Sequence, residues 1–82
     1  MSDKIHEAVR RADRATNLRR PDYATDRVSG LDVMLVRTIS RTVAVVDEQE
    51  GAAIVRDASS HFQLAEAFEA AGFDVERRGG ES

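Results

Sequence analysis

The chain is organised around residues 32–57, which read DVMLVRTISRTVAVVDEQEGAAIVRD. This stretch holds most of the large aliphatic residues, and many of them are β-branched. Such side chains are restricted at χ1 and fit a pleated surface better than a helix. The apolar runs are short and are interrupted by polar residues, so the pattern predicts three strands, at Asp32–Ile39, Thr42–Asp47 and Ala52–Asp57.

Two short polar segments separate these predicted strands. Residues 48–51, Glu-Gln-Glu-Gly, end in Gly51, which adopts positive φ without steric cost, so they predict a tight turn. Ser40 and Arg41 are poorer turn residues, because neither favours the positive φ of a two-residue hairpin turn. They form either a turn or a bulge in one long strand. If they form a turn, the three strands make an antiparallel meander.

The residues before the central stretch predict an amphipathic helix that begins at Asp3 and ends near Asn17. Ser2 is a suitable N-cap, and Asp3 is favoured in the first turn, where the helix dipole attracts negative charge. Apolar residues recur at spacings of three and four and form one narrow stripe, made of Ile5, Ala8, Val9, Ala12 and Ala15. Because this stripe is mostly alanine, it packs closely but buries little surface.

A second helix is predicted from Ser60 to Ala71. Ser60 and Gln63 have the spacing of a capping box, in which each side chain satisfies a backbone amide at the start of a helix. Gly72 follows as the left-handed residue that commonly ends a helix. Phe68 and Phe73 then occupy the two positions that make the hydrophobic contact of a Schellman motif.

The remaining segments are less regular. Residues 73–76 alternate apolar and polar side chains and predict a short final strand, whereas residues 77–82 predict a polar, frayed tail. Pro21 ends any helix within residues 18–30, where a short additional strand near Tyr23 is an alternative to irregular chain. The whole pattern predicts a single α+β domain over residues 1–82, with an antiparallel sheet of three to four strands, two helices and the order α-β-β-β-α-β.

The composition argues against several classes of protein. The 82 residues contain no cysteine, so neither a disulfide framework nor a thiolate metal site is expected. No run of 18 apolar residues is present, and the first residues are charged throughout, so we expect neither a transmembrane helix nor a secretory signal. These observations predict a cytoplasmic protein that makes no contact with a membrane.

The central strands predict a homodimer. Aliphatic residues occupy both alternating sets of positions in these strands, so both faces of the sheet are partly apolar. Two helices cover one face well, and the other would remain exposed on a monomer. We expect the exposed face to carry the dimer contacts, at Met34, Val36, Ala44 and Val46. If the chain is instead a monomer, residues 18–30 would have to fold over that face.

Charge is distributed unevenly along the chain, whose net charge is −3. The segment from residue 10 to residue 20 holds five arginines against one carboxylate, Asp13. This pattern predicts, as an alternative function, nucleic-acid binding through contacts of arginine with phosphate. The candidate contact residues are Arg10, Arg11, Arg14, Arg19 and Arg20. The alternative is a solvated surface that binds no ligand, in which the positive charge of the arginines balances the acidic remainder of the chain or of a partner.

The sequence contains no pattern that specifies catalysis, a cofactor or a metal. Ser59 and Ser60 stand in no serine–base arrangement. His6 and His61 are far apart in the sequence and near no cysteine. The acidic residues Asp47, Glu48 and Glu50 lack the spacing of a calcium-binding loop. We therefore predict a non-catalytic protein without cofactor, a homodimeric interaction module or regulatory subunit.

Overall fold

A computed structural model describes residues 3–16, 23–28, 30, 32–39 and 41–79, which form two helices and five strands. In chain order these elements are α1 (Asp3–Thr16), β1 (Ala24–Arg27), β2 (Val33–Arg37), β3 (Thr42–Asp47), β4 (Ala52–Arg56), α2 (Phe62–Ala70) and β5 (Asp74–Arg78). The first helix and the three central strands lie where the sequence predicts them, with β2 and β4 shorter than expected. The final strand extends to Arg78, so the predicted tail begins later than residue 77.

The five strands form one sheet in the order β1-β2-β3-β4-β5. The first three pairs are antiparallel, and β4 pairs with β5 in parallel. A parallel pair needs a crossover connection, which α2 supplies. The α+β class is therefore confirmed. The prediction of an antiparallel sheet with three to four strands is wrong, because the sheet is mixed, has five strands and follows the order α-β-β-β-β-α-β.

The sequence did not decide between a short strand near Tyr23 and irregular chain, and strand β1 lies at this place. Its residues, Ala-Thr-Asp-Arg, have weak strand propensity, yet all four pair with β2. The Arg27 guanidinium donates two hydrogen bonds to the Glu48 carboxylate, at 3.1 and 3.3 Å, and this contact lowers the pKa of Glu48. Because Glu48 directly follows β3, the ion pair ties β1 to the sheet beyond its own neighbour. Tertiary contacts rather than local propensity form this strand.

Both hairpin connections between the central strands are turns. The Thr38 amide donates to the Arg41 carbonyl at 2.8 Å, where β2 reverses into β3, and a register shift lies at the end of β2. This favours the turn over a single long strand, although Ser40 lies outside the described residues. Between β3 and β4, Gly51 has φ +67° and its amide donates to the Asp47 carbonyl at 2.9 Å. The predicted turn at residues 48–51 is therefore confirmed.

Helix α2 begins at Phe62, two residues after the predicted cap, and the side chain of its N-cap residue, His61, makes no capping hydrogen bond. The Ser60 amide donates to the Asp57 carbonyl at 2.9 Å, so a turn precedes the helix. The Gln63 side-chain amide donates instead to the Ala15 carbonyl of α1, at 3.1 Å. The predicted capping box is therefore wrong, because the turn delays the helix and Gln63 connects the two helices.

The other end of α2 is the predicted Schellman motif. Gly72 has φ +100°, and its amide donates to the Glu69 carbonyl at 3.0 Å. The Phe73 amide reaches back to the Phe68 carbonyl, also at 3.0 Å. The two phenyl rings meet edge to face with centroids 5.5 Å apart. Both hydrogen bonds and the hydrophobic contact of the motif are present, so this prediction is confirmed.

Both helices pack on the same side of the sheet and enclose one core. Phe68 and Leu64 of α2 and Ile5 of α1 are its largest fully buried helical side chains. The sheet contributes Met34, Val36, Ala44, Val46, Ala53 and Val55, which alternate along its three central strands, and also Val43, which lies at the register shift between β2 and β3. No polar or charged residue in the described part of the chain is buried.

The position of the core corrects one prediction. Met34, Val36, Ala44 and Val46 were expected on an exposed face, but each is at most 3% exposed and lies under the helices of its own chain. The helices cover the face opposite to the one predicted. The uncovered face therefore carries the other alternating set of side chains.

The Schellman motif gives a test of the fold. A side chain added at Gly72 meets no atom within 4 Å, so Gly72→Val is opposed by backbone strain at positive φ alone. We expect it to lower the free energy of unfolding by about 1–3 kcal/mol in urea denaturation. Ala70→Val, on the exposed last turn of the same helix, should lower it by less than about 1 kcal/mol. Equal stability of Gly72→Val and wild type would contradict the motif.

Candidate functional site

The side of the sheet opposite the helices carries half-buried aliphatic side chains. Val33, Leu35, Val45 and Ile54 lie there, and none of them belongs to the core cluster or packs against it. We call this side the open face. Register places on it Ala24, Asp26, Val33, Leu35, Arg37, Val45, Asp47, Ala52, Ile54, Arg56, Asp74, Glu76 and Arg78.

The aliphatic side chains of the open face form a continuous row across the sheet. Leu35 of β2 pairs with Val45 of β3, which in turn pairs with Ile54 of β4. Neighbouring strands lie about 4.8 Å apart, so these three side chains are in contact range. Val33 extends the row along β2. An apolar patch of this kind on an otherwise charged surface is typical of a docking site.

Arginines gather at one end of the open face. Arg56 and Arg78 are register partners on β4 and β5, and Arg37 ends β2. A groove of about 600 Å³ lies at this end, with Val45 and Ile54 among its lining residues. The groove therefore joins the apolar row to a cationic border.

Arg41 and Asp57 form another part of the groove lining. The Arg41 Nη2 atom lies 2.6 Å from the Asp57 Oδ2 atom. Asp57 has φ +53°, a left-handed conformation that aspartate tolerates better than most residues. Gly79 passes close by, since a Cβ added to it would lie 3.4 Å from the Asp57 nitrogen. An ion pair and a close backbone approach thus position this wall of the groove.

Carboxylates occupy the opposite end of the open face. Asp47 ends β3 and Asp74 begins β5, and both lie in register with Ala52 of β4. One oxygen of Asp47 accepts hydrogen bonds from the amides of Gln49 and Glu50, at 3.0 and 3.1 Å, so its position is fixed by the turn. The open face is therefore basic at one end and acidic at the other, and the apolar row between them has Asp26 and Glu76 at its two edges.

The sequence contains a signal that identifies the open face. Arg37 alternates with Val33 and Leu35, Asp47 alternates with Val45, and Arg56 alternates with Ile54. Charged side chains are not buried without partners, so the set of positions that includes them must face away from the core. The prediction of dimer contacts at Met34, Val36, Ala44 and Val46 did not take this alternation of charged residues into account.

The structure places part of the predicted nucleic-acid surface. Arg10, Arg11 and Arg14 are exposed on α1. Arg14 follows the other two by four and three residues, so all three are neighbours on the helix surface. The remaining candidates, Arg19 and Arg20, lie outside the described residues. Three of the five arginines are thus brought together, on an element remote from the open face.

Tyr23 and His61 form the only contact between aromatic side chains in the described ranges besides the Phe68–Phe73 pair. The Tyr23 hydroxyl lies 2.7 Å from the His61 Nδ1 atom. Burial, reinforced by the negative charge of Asp13, raises the pKa of Tyr23 to about 12, and burial lowers the pKa of His61. Both groups are neutral near pH 7, and the phenol can donate to the imidazole. The pair links the start of β1 to the start of α2.

No group of three or more His, Cys, Asp or Glu side chains within residues 3–16, 23–28, 30, 32–39 and 41–79 could hold a metal ion. Neither described helix is long and apolar enough to cross a membrane.

Comparison of the chain with protein-family models, with curated proteins and with solved structures gave no match.

The pKa of Tyr23 is directly measurable, because this is the sole tyrosine and the chain has no tryptophan. We expect the absorbance of its phenolate to rise with a midpoint at about 12 in the native protein and near 10 in concentrated urea. A raised pKa means that the stability associated with Tyr23 is complete below pH 10 and is lost as pH rises through the folded value. Because burial is the main cause, His61→Gln should keep the midpoint above 10. A native midpoint near 10 would contradict this environment.

Proposed function

We propose that this chain is a small non-catalytic interaction module that forms a homodimer through its open face. The observation that carries this proposal is the contiguous row of Leu35, Val45 and Ile54 on the side of the sheet opposite the helices. Burying these side chains against a second apolar surface would release water from them, at about 25 cal/mol per Å². The module would thus use a surface that its own core does not need.

The size of the open face bounds the affinity. Five strands at about 4.8 Å spacing and five residues at about 3.3 Å rise give a face of roughly 24 by 17 Å. This footprint of about 400 Å² per chain, or about 800 Å² for two chains, is smaller than that of a standard specific interface and corresponds to a weak, transient contact. We therefore expect reversible association, with a Kd on the order of tens of micromolar.

The edges of the sheet are less suited to association than its open face. In β5, four of the five residues are charged, and in β1 two of four are charged. Charged, short edge strands are a common device against pairing with another chain. Face-to-face packing is therefore favoured over extension of the sheet.

A second copy of the chain is the occupant that the charges favour. The open face carries both signs of charge at opposite ends, so it is complementary to itself. Two-fold dimers are the commonest closed assembly, and they bring the same patch of both subunits together. We further propose a cytoplasmic location, which the absence of cysteine supports.

A charge in the middle of the apolar row tests the proposal. We expect Leu35→Lys to convert the dimer to a monomer, because the row would have to bury an unpaired ammonium group. Size exclusion with light scattering at about several hundred micromolar, well above the expected Kd, should give nearly twice the chain mass of 9.0 kDa for wild type and 9.0 kDa for the variant.

The matched control is Ala70→Lys, which adds the same group to an exposed position of α2 and should leave the dimer intact. Circular dichroism establishes that each variant is folded. A wild-type mass of 9.0 kDa at every concentration would overturn the proposal, as would a dimer that Leu35→Lys leaves unchanged.

Nucleic-acid binding by α1 is the second candidate function. The supporting observation is the exposed cluster of Arg10, Arg11 and Arg14, of which Arg11 and Arg14 have no ion-pair partner among the described residues. Against it, Arg10 pairs with Glu7 at 3.2 Å, and the chain has a net charge of −3. An anionic protein is repelled by the phosphate backbone unless its basic patch dominates locally.

We expect no retention of the chain on mixed-sequence DNA or RNA at about 50 mM salt, where electrostatic binding is strong. Fluorescence anisotropy of labelled oligonucleotides measures this. Binding that falls log-linearly with salt, and that is lost when Arg10, Arg11 and Arg14 are replaced by glutamine, would establish the second function instead.

A further inference from the structure

The open face has a direction along its strands. Arg37, Arg56 and Arg78 mark one end, and Asp47 and Asp74 mark the other. On β5 the two ends are separated by four residues, which corresponds to about 13 Å at a rise of about 3.3 Å. Their charges are therefore far enough apart to act on different parts of a partner.

Among the described residues, both ends of the open face keep charges that no ion pair compensates, namely Arg56 at one end and Asp47 and Asp74 at the other. Arg37 pairs with Asp26 at 3.1 Å, and Arg78 pairs with Glu76 at 2.5 Å. Within the part of the chain that the structure describes, neither Arg56 nor Asp74 has an ion-pair partner. An unpaired cation and unpaired anions thus lie at opposite ends of one apolar surface.

Face-to-face packing about a two-fold axis allows two simple arrangements. An axis parallel to the strands places the arginine end of one copy over the arginine end of the other. An axis across the strands reverses the second copy and places arginines over carboxylates. Like charges brought together at an interface cost several kcal/mol. Asp26 and Glu76 lie at the two ends of the apolar row and meet carboxylates in both arrangements, so it is the charges at the strand ends that distinguish the two.

We propose that two copies pack open face to open face about an axis that runs across the strands, so that Arg56 of each copy meets the acidic end of the other. This rests on the proposed homodimer and specifies its geometry. An axis that passes through the row of Leu35, Val45 and Ile54 keeps these side chains together at the centre. It places Arg56 of one copy above Ala52 of the second copy.

The register shows why that position suits an arginine. Ala52 has Asp47 beside it on β3 and Asp74 beside it on β5. The small side chain of Ala52 leaves room between two carboxylates one strand away on either side. A guanidinium group presents five donors in a planar fork and can bridge two such oxygens. The two-fold axis repeats this contact, so the dimer contains it twice.

Charge reversal tests the geometry. We expect Arg56→Glu and Asp74→Arg each to raise the dimer Kd at least about tenfold at low salt, since each change creates repulsion at both contacts. The double variant should return to within about threefold of wild type, because it restores opposite charges with the wild-type net charge of −3. Sedimentation equilibrium measures all three constants.

Arg14→Glu is the matched control, because it changes the net charge as Arg56→Glu does but lies on α1. It should leave the Kd within about threefold of wild type at an ionic strength of about 0.15 M, where distant charges are screened. The effects of Arg56→Glu and Asp74→Arg should shrink in about 0.5 M salt.

The possible failures are distinguishable. Single reversals without effect, in a dimer that Leu35→Lys still disrupts, would overturn the arrangement while leaving the open face as the contact surface. An Arg56→Glu variant that dimerises more tightly than wild type would overturn it in favour of the axis parallel to the strands, because there the new carboxylate would lie over the arginine end of the other copy. A monomeric wild type would remove both the arrangement and the homodimer.

Discussion

A five-stranded sheet needs cover on both faces when both faces carry apolar side chains, and this chain has two helices. Two helices of about 10 Å diameter, side by side, cover about 20 Å. Five strands span about 24 Å, so the pair is sufficient for one face. Both helices lie there, and they bury Phe68, Leu64 and Ile5 against the alternate residues of the central strands. The helices do not cover the open face, so its apolar side chains can be covered only by groups outside this core.

The choice of covered face follows from the ends of the strands. Arg37, Asp47 and Arg56 share one set of alternating positions, and burying them under the helices would remove three charges from water. The same charges then determine what the open face can bind. Because they divide into a basic and an acidic end, this surface suits a partner with the reverse order, and a second copy turned by a two-fold rotation has that order.

Local features of this fold are predictable from the sequence, whereas its long-range pairings are not. Gly72 and its two phenylalanines define the end of α2 within six residues, and Gly51 defines a turn. Strand β1 is different, because it depends on pairing with β2 and on the contact of Arg27 with Glu48, 21 residues away. The prediction of a capping box was wrong because the Gln63 side chain binds α1 instead of the start of its own helix.

The prediction placed the dimer contacts on the wrong face of the sheet, although the alternating positions of Arg37, Asp47 and Arg56 indicate the open face. Aliphatic residues are frequent at both sets of alternating positions in these strands, and this concealed the alternation.

The most direct test is the dependence of backbone amide chemical shifts on protein concentration, measured for the unmodified chain from about 1 mM to about 10 µM, a range that brackets the expected Kd. We expect the amide signals of Val33, Leu35, Val45 and Ile54 to move together along one dilution curve, while those of α1 stay constant. Shifts confined to α1 and α2, or spectra that do not change with concentration, would contradict the assignment of the open face as the partner surface.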